Sequence, residues 1–155
     1  MDREDEIRFV AEMTLGKLAK WLRILGFDTF YSPDISENQL INAGKQRILL
    51  TRIQRIRDKN LSKECIFITS NDPFEQIREV IQALGITQND IRPFSRCIRC
   101  NASIRRIQKD DVRKMVPDYV WETQDTFRIC VICHRIYWPG SHTRHSLDIV
   151  ERLFR

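Results

Sequence analysis

The stretch "RILLTRIQR" (residues 47–55) carries the pattern that decides the fold. Its apolar run at 48–50 is short and unbroken, which is typical of a strand buried on both faces of a parallel sheet. Thr51 and Arg52 mark the end of that strand, and α/β proteins place their ligands and chemistry at the carboxyl ends of parallel strands. The next residue is Ile53, which cannot ligate a cation. The sequence therefore predicts a buried strand whose functional end lacks an acid.

Strand and helix patterns alternate along the first part of the chain. Further strands are predicted at 7–12, 27–31 and 65–70, and apolar residues recur at helical spacing between and after them. This order predicts an α/β fold with a mostly parallel sheet and helices on both of its faces. The predicted helices cover 14–26, 34–44 and 71–85, with a short basic helix or turn at 53–60.

Two helix starts carry capping patterns. Asp34 and Glu37 have the spacing of a capping box, in which side chains satisfy free backbone N–H groups. Asp72 precedes Pro73, the order expected for an N-cap followed by the first helical residue. Some acids of the chain therefore have a structural role available to them.

The pattern changes after residue 91, and the charge changes with it. Residues 1–91 contain 13 Lys and Arg against 14 Asp and Glu, whereas residues 92–155 contain 13 against 7, a net charge of +6. We expect two domains with these bounds. A basic half is typical of a module that binds a polyanion such as RNA, and a solvated basic surface is the alternative.

Two C-x-x-C pairs stand in the basic half, 29 residues apart. Cys97 and Cys100 form the first pair, and Cys130 and Cys133 form the second. Such pairs are typical of two knuckles that complete one tetrahedral zinc site, which would stabilise a segment too small to fold on its own core. Buried or redox-active thiols are the alternative. His134 is redundant beside a complete four-cysteine set.

Four acids are candidates for a second metal site. Glu12 ends the first strand and Asp72 follows the fourth, so a parallel sheet can bring both to one edge, with Asp28 or Glu37 assisting. Carboxylates grouped in this way bind Mg²⁺ or Mn²⁺, which activates a water for attack on a phosphodiester. Helix capping is an equally good explanation for Asp72 and Glu37.

Several segments of the chain, from about residue 8 to about residue 145, resemble the Mut-seven C-terminal RNase domain family. They include "FVAEMTLGKLAKWLRILGFDT", "RILLTR", "NDPFEQI", "RPFSRCIRCNASI" and "VPDYVWETQDTFRICVICHRIYWPGSH", in the order and at the spacing of the family. The resemblance implies a PIN-like α/β domain, a four-cysteine zinc ribbon and metal-dependent cleavage of RNA.

The acids that the resemblance implies are kept only in part. The family has Asp where this chain has Glu12, and it has Asp where this chain has Ile53. Asp72 keeps one acid of the family's "DDP" stretch, and Asp28 keeps the acid of "GFDT". Loss of one carboxylate weakens the cation site and misplaces the attacking water, so we expect weakened cleavage.

Binding of RNA does not depend on those acids. A helix face of three cations at 17–23 should attract phosphates, and Trp138, the first residue of the "WPGSH" segment, offers a stacking surface. Core packing is the alternative for Trp138. His142 lies at the start of a predicted C-terminal helix (141–154), where a surface role is the alternative. The predicted RNA-binding residues are Lys17, Lys20, Arg23, Arg52, Trp138 and His142.

The first hypothesis is thus an RNA-binding protein of ribonuclease type with weakened cleavage. The second is an inactive module that docks on RNA or a ribonucleoprotein through the ribbon, and the third is a protein-interaction scaffold. The chain has no run of 18 apolar residues and no signal-peptide pattern, so a soluble, cytoplasmic protein is expected. No membrane partner and no small-molecule cofactor are expected.

Overall fold

A computed structural model of the chain describes residues 6–59 and 64–155. Residue 60, the last of the predicted basic helix, lies outside the described residues, as do residues 1–5. No helix in the described part has the length and the hydropathy that crossing a membrane requires.

The first half folds around a four-stranded parallel sheet, as the apolar run at 48–50 predicts. The strand bounds are β1 Arg8–Ala11, β2 Asp28–Phe30, β3 Ile48–Thr51 and β4 Cys65–Phe67. The strands lie in the order β2-β1-β3-β4, so that β1 and β3 occupy the centre. Both central strands are almost fully buried, which explains their continuous apolar sequences.

Helices cover both faces of this sheet. Successive residues of β1 point to opposite faces, since Phe9 belongs to one core cluster and Val10 to another. The first cluster contains side chains of α1 and α4, and the second contains side chains of α2 and α3. The expected α/β class is confirmed. The helix bounds are α1 Gly16–Ile24, α2 Glu37–Ala43, α3 Gln54–Lys59 and α4 Pro73–Leu84, with a short 3-10 helix at Met13–Leu15.

The N-cap predicted for α4 is confirmed, and the capping box predicted for α2 is formed by other residues. Asp72 caps α4 by accepting a hydrogen bond from the backbone N–H of Phe74, as expected. The capping box of α2 is formed by Ser36 and Gln39, whereas Asp34 and Glu37 were predicted for it. A box needs side chains at the N-cap and N3 positions, and Glu37 is already the first helical residue.

The second half contains a small antiparallel sheet with its own apolar cluster. The strands β5 (Ile104–Ile107), β6 (Phe127–Cys130) and β7 (Ile136–Tyr137) lie in that order. A short helix, α5 (Asp118–Thr123), packs Val120 beside Phe127 under the sheet.

The last helix returns to the first sheet. Helix α6 (Ser141–Leu153) packs Val150 and Leu153 against the same core cluster as α1 and α4. Leu147 of the same helix is 39% exposed and lies outside this contact. The ends of the chain therefore share one core.

Candidate metal centres and the cleft beside the ribbon

The four cysteines of the C-x-x-C pairs meet at one point. Their sulfur atoms all lie within 4.8 Å of one another, with 3.7 Å between Cys97 and Cys133 and 3.3 Å between Cys100 and Cys130. None of these distances is that of a disulfide, and all four thiols are free. Four sulfurs around one zinc ion at about 2.3 Å stand about 3.8 Å apart, so this donor set is consistent with a zinc site.

Both knuckles are built by the same backbone turn. The N–H of Asn101 donates to the carbonyl of Cys97 at 2.9 Å, and the N–H of His134 donates to the carbonyl of Cys130 at 3.1 Å. Asn101 and His134 each adopt a left-handed conformation, with φ of 68° and 59°. Residues with short polar side chains tolerate this region better than most. His134 thus closes a turn beside the cluster.

Hydrogen bonds favour thiolate at Cys97. Burial alone would raise the pKa of the Cys97 thiol, but hydrogen bonds from the Tyr137 hydroxyl and from the N–H groups of Cys100 and Arg99 lower it to about 6. The Tyr137 oxygen lies 3.0 Å from the Cys97 sulfur. Burial raises the pKa of Cys100 in the same knuckle. Because thiolate is the form that binds metals, the environment of Cys97 prepares that sulfur for a cation.

Glu12 lies at the carboxyl edge of the parallel sheet, but its carboxylate is already hydrogen-bonded. It accepts bonds from the N–H and the hydroxyl of Thr14 and, at 3.4 Å, from the N–H of Arg52. The side chain is only 2% exposed, and it caps the 3-10 helix that follows β1. The structure therefore gives Glu12 a capping role that its sequence position did not indicate.

Ile53 follows β3 and also stands at a helix start. Its carbonyl accepts the first helical bond of α3 from Arg57 at 3.2 Å, which makes it the N-cap residue. Its side chain packs against the apolar cluster that includes Val10 and Ile56. The position at which the resemblance implies an acid is thus filled by a packed apolar side chain.

Asp72 is exposed and belongs to the loop after β4. Its carboxylate caps α4, and its own N–H donates to the hydroxyl of Ser70 at 3.0 Å. Glu79, a residue that the sequence analysis missed, holds this loop by accepting from the N–H groups of Thr69 and Ser70, both at 2.8 Å. Glu79 follows Asp72 by two helical turns, and nothing in its local pattern indicates this role.

The other two acids pair with cations. Glu37 lies near the carboxyl edge and binds Arg55 at 2.8 Å and Lys59 at 3.4 Å. The hydrogen bond from Arg55 is the main reason why the pKa of Glu37 is lowered. Glu37 is thus engaged with α3.

Asp28 begins β2 and so lies at the amino edge of the sheet, away from Glu12. Its carboxylate binds Arg47 and the side chain of Asn101, each at 2.7 Å. Burial alone would raise the pKa of Asp28, but these two hydrogen bonds outweigh it and lower the pKa. Asp28 connects the sheet to the first knuckle.

The structure does not gather the predicted acids into a metal site. Within residues 6–59 and 64–155, the four cysteines are the one group of three or more His, Cys, Asp or Glu side chains close enough to share an ion. Asp28 is separated from Glu12 by the length of a strand, and β1 and β4 lie two strand positions apart.

Arg23 is buried and does not belong to the exposed basic face predicted for α1. Its guanidinium donates to the carbonyl of Thr29 at 3.0 Å and to the carbonyls of Ile98 and Arg99 at 3.1 and 3.2 Å. Burial lowers its pKa, and the nearby cysteines and Asp28 oppose that shift. Arg23 therefore fastens the first knuckle to the sheet.

The remaining predicted RNA-binding residues fall into three places. Lys20, Trp138 and His142 line one cleft of about 870 Å³ between α1, the knuckles and the start of α6. Lys17 is exposed on α1 outside that lining. Arg52 lies at the carboxyl edge, where its buried Nε has no hydrogen-bond partner among the described residues.

A parallel β-sheet with helices on both faces, fastened to a small antiparallel sheet with a four-cysteine cluster, defines an α/β protein with a module whose donor set is consistent with a zinc site. The family model for the Mut7-C RNAse domain matches residues 7–150. The chain therefore belongs to the Mut7-C RNAse domain family, as the resemblance of its motifs indicates. Comparison with curated proteins and comparison with solved structures each gave no match. The chain is thus a ribonuclease-type domain, a class whose substrate is RNA.

Proposed function

We propose that this chain binds RNA, and that its metal-dependent cleavage is weakened because the acid at the end of β3 is replaced by Ile53. The observation that carries the proposal is the position of Ile53 in the sheet. Strand β3 lies between β1, which ends next to Glu12, and β4, which leads to Asp72. Ile53 therefore occupies the middle of the row in which the family places its acids.

Strand geometry explains why the middle acid matters. Neighbouring strands are about 4.8 Å apart, so the ends of β1 and β4 are separated by about 10 Å. A Mg²⁺ ion holds its oxygen ligands at about 2.1 Å, which places two ligands of one ion at most about 4 Å apart. Without an acid at position 53, the carboxylates on either side need large side-chain movements to share an ion.

The present contacts of the two acids oppose such movements. Glu12 would have to leave the N–H of Thr14, and Asp72 would have to leave the N–H of Phe74. Loss of a helix cap costs about 1 kcal/mol. Mg²⁺ or Mn²⁺, when bound at this edge, would activate a water, and the geometry favours only weak binding.

The four cysteines are proposed to hold structural zinc. All four coordination positions of a tetrahedral ion are then filled by Cys97, Cys100, Cys130 and Cys133, which leaves none for a reacting water. The buried Arg23 of α1 donates hydrogen bonds to two carbonyls of the first knuckle and so holds that knuckle beside the sheet. The role of zinc is therefore to hold the ribbon in place.

The charge distribution supports binding of RNA. The basic half has a net charge of +6, and Lys17 and Lys20 are exposed on α1. Arg52 adds a cation at the carboxyl edge. Phosphate contacts of this kind supply affinity that falls steeply with salt and does not require a cleavage site.

A second candidate function is an inactive module that docks on a ribonucleoprotein through the ribbon. The observation that favours it is the exposed tip of the second knuckle, where Val131 is 45% exposed and Ile132 is 68% exposed. Neighbouring apolar side chains at a surface tip are suited to contact with another protein.

A binding and cleavage assay tests these functions. Purified protein is mixed with labelled RNA and Mg²⁺ or Mn²⁺, and bound and cleaved fractions are measured for the wild type, Glu12→Gln and Asp72→Asn. The proposal predicts salt-sensitive binding by all three proteins and slow cleavage that both variants lose. Binding with no cleavage at all supports the inactive module, and absence of binding refutes RNA binding as the function of the chain.

A further inference from the structure

The cleft beside the ribbon has an unusual charge. Its lining contains the cations Lys20, Arg96, Arg99 and Arg135 and all three histidines of the chain, and it contains no Asp or Glu. Cys133 of the cysteine cluster also lines it. A cavity with an excess of cations focuses the electrostatic field and attracts a ligand of the opposite sign. The cleft is therefore suited to an anion.

Three of these cations are available for a ligand. Lys20, Arg99 and Arg135 are exposed, and none of them forms an ion pair with another described residue. Arg96 is different, because it binds Glu6 at 3.3 Å and the carbonyl of Gly26 at 3.1 Å. The side chains free to meet a phosphate thus come from α1, the first knuckle and the ribbon.

One wall of the cleft is aromatic. Trp138 is half-buried and packs against Phe127, with 6.5 Å between ring centroids, and it also borders the cleft. Trp21 and Phe94 border it as well. Tyr137 is committed to Cys97 through its hydroxyl. A rigid indole beside free cations is the combination that binds a base together with its phosphates.

We propose that this cleft binds an unpaired segment of RNA, with phosphates at Lys20, Arg99 and Arg135 and a base against Trp138. The inference rests on the proposed function that the chain binds RNA, and it adds the site and the form of the RNA. Bases inside a duplex are stacked on one another and cannot reach an indole, whereas unpaired bases can. The volume of about 870 Å³ is within the range of sites that enclose a ligand of a few rings.

The cleft is separate from the carboxyl edge. Helix α1 begins next to that edge and runs back across the sheet, and Lys20 and Ile24 of its second half line the cleft. The first knuckle contacts Asp28 and Thr29 at the opposite, amino edge. Binding in the cleft should therefore be unaffected by Glu12→Gln.

Fluorescence anisotropy with the full, zinc-loaded chain tests this site. The probe is a labelled oligouridine of about ten nucleotides, within the usual site size of single-strand binders, and a blunt duplex of the same length is compared with it. The double variant Lys20→Ala with Arg135→Ala should bind at least about 10-fold more weakly. It should also reduce the slope of log affinity against log salt by about 1.4, since each phosphate contact contributes about 0.7.

A matched double variant controls for the loss of net charge, and crosslinking of the wild-type chain controls for an effect on folding. Arg8→Ala with Lys45→Ala removes the same charge from exposed positions outside the cleft and should bind like the wild type. Trp138→Leu should weaken binding by about 5- to 150-fold. Because Trp138 also packs against Phe127, photocrosslinking of a thiouridine oligonucleotide to the wild-type chain is the complementary test, with Trp138 as the expected site.

The outcomes separate the site from the function. If the wild type binds no RNA, the proposed function and the cleft both fail. If it binds and the two double variants behave alike, the function stands and the cleft is refuted. The inference is also overturned if the chain binds the duplex as tightly as the oligouridine. It is overturned as well if polyglutamate displaces the labelled oligouridine as effectively as unlabelled oligouridine does.

Discussion

The two metal sites that the sequence predicts differ in how their ligands are assembled. The four cysteines come together within 4.8 Å, whereas Glu12, Asp72, Asp28 and Glu37 remain apart, each with partners of its own. The thiolate ligands lie on two short turns with identical backbone bonds. The carboxylates lie on four separate segments of the first half, with Glu12 after β1, Asp28 in β2, Glu37 in α2 and Asp72 before α4.

This difference shows that some metal sites are built by short turns, whereas others depend on contacts between distant parts of the chain. A C-x-x-C turn places two sulfurs by itself, and only the pairing of β5 with β6 is needed to join the two turns. A carboxylate site at a sheet edge depends on every strand supplying its acid. At such an edge each acid also has a free helix N–H within reach, and Glu12 and Asp72 bind those groups.

The largest expected effect is loss of the cysteine site. Cys130→Ser removes a fully buried ligand, and structural zinc contributes about 10–16 kcal/mol of apparent binding free energy in small zinc modules. We expect about one zinc per chain in the wild type, and loss of the zinc and of the cooperative melting transition in the variant. Elemental analysis and circular dichroism measure both.

Cys65→Ser is the control for this variant, because Cys65 lies in β4, away from the cluster, and its replacement should leave the zinc content unchanged. A Cys130→Ser protein that keeps its zinc and its melting temperature would contradict the four-cysteine assignment.

An intermediate effect is expected at Asp28, whose carboxylate binds Asn101 of the first knuckle. Asp28→Asn weakens the charged hydrogen bonds to Arg47 and Asn101 and should lower the free energy of unfolding by about 1–2 kcal/mol at pH 7. Because the folded protein lowers the pKa of Asp28, its contribution is present above about pH 4 and is lost as the pH falls through the folded pKa.

Urea unfolding at several pH values measures this effect. The difference between wild type and Asp28→Asn should shrink below about pH 4, and the exposed Asp34→Asn should stay within about 0.5 kcal/mol of wild type at every pH. A constant difference across the pH range would mean that Asp28 contributes through its shape and not through its charge.

The smallest expected effect is that of Mg²⁺. A cation bound with a Kd above about 10 mM stabilises the fold by less than about 0.1 kcal/mol at about 1 mM, so the melting temperature should not change measurably. The same addition of Mn²⁺ should give the same result. A saturable rise in melting temperature that Glu12→Gln abolishes would show that the carboxylates assemble into a cation site. The carboxylates and the cysteines would then not differ in this respect.

Much of the fold could be predicted because its signals are local. The apolar run at 48–50, the periodicity of the helices and the cap at Asp72 each depend on a few consecutive residues. A capping box at the start of α2 can also be predicted from the sequence, since Ser36 and Gln39 match its pattern as well as Asp34 and Glu37 do. Which of these two overlapping pairs forms the box can be decided only from the structure.

The candidate site was less predictable because its contacts are distant in sequence. Arg23 shares the polar side of α1 with Lys17 and Lys20, and no local pattern shows that a knuckle 75 residues later covers it. The partner of Asp28, Asn101, is 73 residues away. The caps at Glu12 and Ile53 also escaped prediction, because they depend on where each strand ends.

The most direct test of the central claim is a side-by-side assay of wild type, Ile53→Asp and Ile53→Asn with labelled RNA and Mg²⁺ or Mn²⁺. Both substitutions supply a good N-cap for α3, and only Asp adds the missing ligand. We expect equal RNA affinity in all three proteins and cleavage that rises at least about 10-fold in Ile53→Asp alone. Equal cleavage by wild type and Ile53→Asp would show that the missing acid at position 53 is not what weakens cleavage.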